Sequence, residues 1–123
     1  LESGEVPYTT FMMRKDTIEN EPGFAAAFVR AIYRAQKWVW AAGDEEVAYA
    51  MQSYFPDTDI ATLSAVAKSY RATDSWTRVP TMTEDAFTRL QDILDGAGEL
   101  AARIELSELV DNSFGEAAIS EIG

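Results

Sequence analysis

Only one segment of this sequence has the pattern of a β-strand, and helical patterns follow it. The segment from Val6 to Met13 is rich in aromatic and β-branched residues. Its Pro7 lacks a backbone N–H, which suits an edge or the first residues of a strand. A single strand cannot pair its own backbone groups. Either the segment is not a strand, or it pairs with another chain, or the rest of its sheet lies outside this sequence. We favour the last alternative.

Five to six helices are expected after this segment. The longest begins at Pro22, where a missing N–H costs nothing, and ends at Gly43. Apolar residues recur along it from Phe24 to Ala42 at the three- and four-residue spacing of one buried face. Residues 104–110 predict a short extended or single-turn connection. The expected caps of the other helices are Asp16, Asp44, Asp57 or Thr58, Thr83, and Asp111 or Ser113.

The composition excludes several classes of function. Ten Lys and Arg oppose 21 Asp and Glu, which gives a net charge of −11. A surface this acidic repels nucleic acid and anionic membranes. The absence of Cys and His excludes disulfides, the usual zinc ligands, a Cys nucleophile and catalysis by His. With 47% hydrophobic residues, the sequence predicts an acidic globular domain rather than a disordered tail.

The acidic clusters and the glycine pair have ordinary structural explanations. Carboxylates such as those of residues 44–46 and 84–85 lie at predicted helix N-termini, where capping and the helix dipole favour them. Gly96 and Gly98 fit a helix C-terminus better than a phosphate loop. We therefore expect no catalytic residue, no metal ligand and no cofactor, and we expect that the protein is not an enzyme.

The tryptophans and a basic stripe are the more informative side chains. Trp38 and Trp40 face different sides of one helix, and we expect Trp38 in the core. Trp40 and Trp76 are either platforms for a partner or ligand, or residues packed under a long loop. Arg30, Arg34 and Lys37 form a stripe that is either a solvated face or a surface for an acidic partner.

A series of short motifs extends from Gly4 to about Ile122. The motifs are Pro-Tyr-Thr (7–9), Glu-Asn-Glu-Pro (19–22), Phe-Val-Arg-Ala-Ile-Tyr-Arg-Ala-Gln-Lys-Trp-Val (28–39), Tyr-Phe-Pro-Asp-Thr-Asp (54–59), Trp-Thr-Arg-Val-Pro-Thr-Met-Thr (76–83), Phe-Thr-Arg-Leu-Gln-Asp-Ile-Leu (87–94) and Glu-Leu-Val-Asp-Asn-Ser-Phe-Gly-Glu-Ala-Ala (108–118). In this order the motifs resemble the C-terminal portion of ABC-transporter solute-binding proteins of the nitrate/sulfonate/taurine and thiamine-precursor group.

This resemblance implies a fold and a function. The family fold is an α/β periplasmic-binding-protein clamshell of type II, and this fragment would be mostly α-helical with one or two strands. The missing sheet and the signal peptide would belong to an absent N-terminal half. Such proteins capture a small solute between two lobes, by hinge closure, and deliver it to a membrane permease. The solute would be a sulfonate, nitrate, taurine or a pyrimidine-like compound, and the location periplasmic or extracellular, with membrane association through the transporter.

The resemblance also points to candidate ligand-binding residues. Tyr8, Thr9 and Thr10 lie at the polar start of the expected strand, where their hydroxyls would border the cleft. Trp76 is a weaker candidate. Strand pairing and packing under the loop are the alternative roles of these residues. One departure is Gly115-Glu116, where the family pattern predicts Ala and a basic residue.

Two other interpretations stay open at this point. An acidic helical interaction module would bind a protein partner or form a homodimer by pairing its strand with a copy of itself. A relative of the pyrimidine-synthesising enzymes of the thiamine-precursor branch would need His residues that this sequence lacks.

Overall fold

The computed structural model describes residues 4–123, and the regular structure in this range is helical. Its helices, numbered along the chain, are α1 (Lys15–Asn20), α2 (Pro22–Ala41), α3 (Asp44–Gln52), α4 (Ile60–Ala72), α5 (Glu84–Gly96), α6 (Leu106–Leu109) and α7 (Ser113–Ile122). The expected five to six helices are therefore present, together with the single turn α6 in the predicted connection. None of the described helices combines the length and apolarity needed to cross a membrane.

The predicted strand is wrong. Residues 4–14 are irregular in the structure, and no strand or sheet occurs anywhere in residues 4–123. The expected α/β clamshell, and the fragment with one or two strands, are therefore not the fold described here. The physical reason is that no second extended segment lies alongside to complete a ladder of hydrogen bonds. Among the described hydrogen bonds, residues 4–13 make one, in which Arg89 donates to the carbonyl oxygen of Glu5 at 2.7 Å.

Helices α3 and α4 pack against each other and contribute four of the most buried apolar side chains. These are Val47 and Ala48 from α3 and Leu63 and Ala67 from α4, each 3% exposed or less. Small and branched side chains at the contact allow two helices to approach closely. This pair forms one part of the core, and the other buried apolar side chains are Ala25 and Tyr33 of α2, Ala86 and Phe87 of α5, and Ala118 of α7.

The helix caps agree only in part with the predictions. Thr83 caps α5 as expected, since its hydroxyl accepts a hydrogen bond from the N–H of Ala86 at 3.2 Å. Helix α4 is capped by Asp59, which accepts from the N–H of Thr62 at 2.8 Å, and not by Asp57 or Thr58. At α3 the cap is Gly43, whose N–H donates to the Glu46 carboxylate at 2.7 Å, and not Asp44.

Arg71, in the last turn of α4, joins the end of α2 to the start of α3. Its guanidinium donates to the carbonyl oxygen of Val39 at 2.7 and 3.2 Å and to that of Ala42 at 2.6 Å, and it pairs with the Asp44 carboxylate. The last carbonyls of a helix have no partner within the helix. One side chain from a distant helix therefore provides partners for two carbonyls at the end of α2 and joins three helices together.

Two side-chain amides hold the long loops. The buried Gln91 amide donates to the carbonyl oxygen of Ile104 at 3.1 Å and accepts from its N–H at 2.9 Å. Asn112 does the same for Met82, at 2.8 and 3.0 Å. An amide offers a donor and an acceptor side by side, as a neighbouring strand does. These two amides therefore provide the backbone N–H and carbonyl of Ile104 and Met82 with hydrogen-bond partners, as a neighbouring strand would in a sheet.

Candidate functional site

A broad groove of about 2550 Å³ is the main concave surface of the described residues. It is bordered by residues 4–13, which have no regular secondary structure, and by one side of α2, the loop of residues 73–83 and residues 107–112. Pockets for small molecules have volumes of roughly 300–1,000 Å³. The groove is therefore larger than one small solute needs, and most of its lining side chains are apolar.

The predicted buried face of α2 lines this groove. Phe24, Phe28, Ile32, Ala35 and Trp38 all border it. Phe24 is 54% exposed and Trp38 46%, so the expectation that Trp38 lies in the core is wrong for the described residues. The buried residues of α2 are Ala25 and Tyr33 instead. The sequence pattern thus marks a face for burial that residues 4–123 cover only in part.

Tyr8, Thr9 and Thr10 border the groove, although not as part of a strand. All three are exposed, and Tyr8 is 98% exposed. None of their hydroxyls makes a hydrogen bond to another described residue. The next residue, Phe11, packs edge-on against Phe28 of α2, with ring centroids 5.2 Å apart. This contact holds the segment beside the groove and leaves the three hydroxyl side chains available to a ligand or a partner.

Trp76 lies on the loop at another part of the same groove and is half-buried. Its ring packs against Tyr70 of α4, with centroids 5.2 Å apart and ring planes inclined by 59°. The structure therefore brings all four candidate residues to one groove, and it also gives Trp76 the packing role considered as the alternative.

Arg78 is a groove residue that the sequence analysis did not select. Its guanidinium carbon lies 3.6 Å from the ring centroid of Trp40, in a cation–π stack. Trp40 was considered as a platform, and the structure shows that an arginine from the loop covers it. In the sequence, Arg78 is marked only by its place in the Trp-Thr-Arg motif of residues 76–78. That motif does not indicate which face of α2 the loop contacts.

Neither group with a shifted pKa belongs to the groove. Hydrogen bonds from the N–H and hydroxyl of Thr62 lower the pKa of Asp59, and the carboxylates of Asp92 and Asp95 raise the pKa of Arg103. Both shifts arise from capping and surface ion pairing. Across residues 4–123, no three potential metal-ligating side chains of the Asp, Glu, His or Cys type lie together. The polar lining of the groove combines hydroxyls and aromatic rings with charged side chains, which are Lys15, Arg78, Glu5, Glu19, Asp74, Glu108 and Asp111.

Comparison with known proteins relates the chain to a binding protein. It is 35% identical over 120 residues to "Putative binding protein YtlA" of Bacillus subtilis. The similarity covers 98% of this chain and 36% of that relative, so the chain spans little more than a third of the relative's length. No protein-family model matches the chain, and no solved structure matches it. The relative's name indicates binding and specifies no ligand, permease or compartment.

Proposed function

We propose that this chain is the C-terminal portion of a solute-binding protein that serves an ABC importer. The observation that carries the proposal is the 35% identity to a binding protein over 98% of the chain. In this role the protein captures a small solute and delivers it to a membrane permease. It acts outside the cytoplasmic membrane, in a periplasmic or extracellular location, and it changes no covalent bond.

The uncovered face of α2 supports the idea that further polypeptide packs on this chain. Large apolar side chains are rarely left side by side at the surface without a partner. Phe24, Trp38 and the extended residues Phe11 and Met12 are between 46% and 90% exposed along the groove. The relative has almost two thirds of its length outside the matched region, since the match covers 36% of it. In this proposal, residues corresponding to that length fill most of the groove and leave a smaller site for the solute.

The hydroxyl and aromatic side chains at the groove support an anionic or heterocyclic solute. The hydroxyls of Tyr8, Thr9 and Thr10 donate and accept hydrogen bonds, and Trp76 offers a flat apolar surface. A sulfonate, nitrate, taurine or a pyrimidine-like compound would match such groups. Solute capture would stabilise the bound state by its differential affinity for that state.

A thermal-shift experiment tests this proposal on the protein expressed from the complete reading frame. Taurine, an alkyl sulfonate, nitrate and an aminopyrimidine are added separately at increasing concentration, and the melting temperature is recorded. A bound solute raises the stability by about 2.7 kcal/mol at one hundred times its Kd. We expect a saturable rise with one of these solutes, and the absence of a rise with all four would contradict the proposed solute class.

Variants then locate the site. Thr10→Val and Trp76→Phe remove a hydroxyl and reduce an aromatic surface at the groove, and we expect each to weaken solute binding about tenfold or more. Thr88→Val is the matched control, because Thr88 is exposed on α5 and does not line the groove. Equal affinities for all three variants and the parent protein would place the solute elsewhere.

The exposed extended segment favours one second candidate, a homodimer or protein-interaction module. Tyr8 is 98% exposed and Met12 90%, and the neighbouring backbone has almost no hydrogen-bond partners among the described residues. Such a segment is able to add to an extended segment of a partner. Analytical ultracentrifugation over a hundredfold concentration range distinguishes the two candidates. A mass that doubles with concentration and drops back in Met12→Lys would favour the dimer.

A further inference from the structure

A second, smaller pocket lies beside the groove at the C-terminal end of α2. It has a volume of about 320 Å³ and is lined by Lys37, Trp40, Ala41 and Arg78. The concavity is shallow and open to solvent. Arg78 also borders the groove, so the two concavities adjoin at this residue. None of the four residues proposed to contact the solute lines the smaller pocket.

Arg78 is held in place and still has hydrogen-bond donors to spare. Stacking on Trp40, with 3.6 Å between the guanidinium carbon and the ring centroid, fixes the plane of the guanidinium. Its ion pair with Asp74 is 3.6 Å long, and within residues 4–123 Arg78 donates no hydrogen bond. The side chain is 65% exposed. The N–H edge of the guanidinium is therefore positioned and accessible, which is the arrangement that binds an oxyanion through two parallel hydrogen bonds.

Lys37 adds further donors to the same pocket, and Trp40 carries the stacked guanidinium. The Lys37 ammonium donates one hydrogen bond, to the carbonyl oxygen of Gly123, and lies 5.8 Å from the Tyr33 ring centroid. An ammonium has three donors, so two are left. The indole N–H of Trp40 is buried and has no acceptor among the described residues. Lys, Arg and Trp side chains donate and do not accept, so the side chains that line the pocket offer no acceptor.

The charge of the pocket contrasts with that of the protein. The chain has a net charge of −11 and only ten Lys and Arg residues, and two of these ten line this one pocket. A ligand that supplies hydrogen-bond acceptors and negative charge would complement both the unused donors and the positive charge of this pocket. We propose that Lys37, Trp40 and Arg78 form a binding site for a small oxyanion, held by the guanidinium edge and the ammonium. The site is independent of the solute site proposed above, because it uses other residues.

Nuclear magnetic resonance of the indole N–H of Trp40 tests this proposal on the full chain. Trp40→Phe assigns the resonance, and sodium sulfate, phosphate or acetate is titrated against sodium chloride at equal ionic strength. We expect a saturable shift of the Trp40 resonance with at least one of the three oxyanions and no saturable shift with chloride. The absence of saturation with all three, or an equal shift with chloride, would overturn the proposal.

Variants separate specific binding from general attraction to positive charge. Arg78→Gln and Lys37→Gln each remove a charged donor, and we expect the affinity for the oxyanion to fall about tenfold or more. Arg78→Lys keeps the charge and loses the guanidinium fork, so it also weakens binding if the two parallel hydrogen bonds matter. Arg14→Gln is the control, since Arg14 is 83% exposed and pairs with Asp16 away from the pocket. Undiminished affinity in the three pocket variants, or equal loss in Arg14→Gln, would disprove the site.

Discussion

Two regions of the molecule that are both rich in apolar residues differ in how far those residues are buried. The regions are the helical part around α3 and α4 and the N-terminal segment of residues 4–14. In the helical part, Val47, Ala48, Leu63 and Ala67 are nearly inaccessible, and Arg71 satisfies the last carbonyls of α2. In the N-terminal segment, Phe11 and Met12 are 73% and 90% exposed. The helical part finds its packing and hydrogen-bond partners within the described residues, whereas most of the N-terminal segment does not.

The difference teaches that apolar residues alone do not produce packed structure. A helix satisfies its own backbone hydrogen bonds and then needs only one covered face. An extended segment needs a neighbour for both its backbone groups and its side chains. Residues 4–14 have Phe28 and Arg89 as neighbours, and these do not replace a sheet. Four predictions test this contrast, in order of decreasing effect.

Replacement of Arg71 should have the largest effect, because this residue completes the packed part. Arg71→Met leaves the Val39 and Ala42 carbonyls and the Asp44 carboxylate without their common donor. We expect a loss of about 2–4 kcal/mol in the free energy of unfolding, from charged hydrogen bonds at a partly buried site. Urea unfolding monitored by circular dichroism measures it. Arg103→Met is the control, since the pairs of Arg103 with Asp92 and Asp95 are at the surface and we expect little change. Equal losses in the two variants would show that the position of Arg71 is not special.

Gly115 tests how closely α7 approaches the loop of residues 73–83. A Cβ at this position would overlap the carbonyl oxygen of Pro80 and lie 2.8 Å from Thr81 Cγ2. Because backbone cannot move aside cheaply, Gly115→Ala should destabilise the protein by about 1–3 kcal/mol. Gly96→Ala is the matched control on α5, where an added Cβ meets nothing within 4 Å. That control should be neutral or stabilising, by up to about 1 kcal/mol. A neutral Gly115→Ala would mean that the close approach does not exist in solution.

Asp59 provides a pH-dependent test of the packed part. Hydrogen bonds from Thr62 lower the pKa of this carboxyl in the folded state below its value in the unfolded chain. The capping contribution is therefore fully present above the unfolded pKa and is lost as the pH falls through the lower, folded pKa. Asp59→Ala should destabilise the protein at pH 7 and have a smaller effect at pH 2.5. Asp57→Ala, two residues earlier, is the matched control, since the Asp57 side chain makes no hydrogen bond to another described residue. An Asp59→Ala effect that is constant across this range would exclude the carboxylate as the source.

Cleavage within residues 4–14 should have the smallest effect on the global stability of the protein, and this segment should be the part most susceptible to proteases. Chymotrypsin should cut after Tyr8 and Phe11 before it cuts in the α3–α4 part, since cleavage needs exposed and locally open backbone. Mass spectrometry of a time course identifies the first fragments. In the protein from the complete reading frame, protection of the same bonds would show that further polypeptide covers the segment. Early cleavage within α4 would reverse the comparison.

The positions of the helices could be predicted from the sequence. Pro22 and Gly43 mark α2, and Thr83 caps α5, because these signals act through hydrogen bonds between residues a few positions apart. The cap of α4 was predicted as Asp57 or Thr58, whereas the structure has Asp59. All three residues are of good capping types, so the sequence alone does not show at which of them the helix begins.

The candidate site could be predicted only in part. Tyr8, Thr9, Thr10 and Trp76 do lie along one groove, while their role as ligand contacts stays a prediction. Arg78 and its stack on Trp40 were not found, because the two residues are far apart in sequence and only the path of the loop brings them together.

The sequence by itself determined which segments are helical and, for α2 and α5, where they begin, since helical hydrogen bonds are local. It also determined the acidic charge and the absence of thiol and imidazole chemistry. The tertiary structure decided whether residues 6–13 are a strand, whether the apolar face of α2 is covered, and which long side chains reach across to another helix. These features depend on neighbours that are distant in sequence, and a local pattern specifies the need for a neighbour without supplying one.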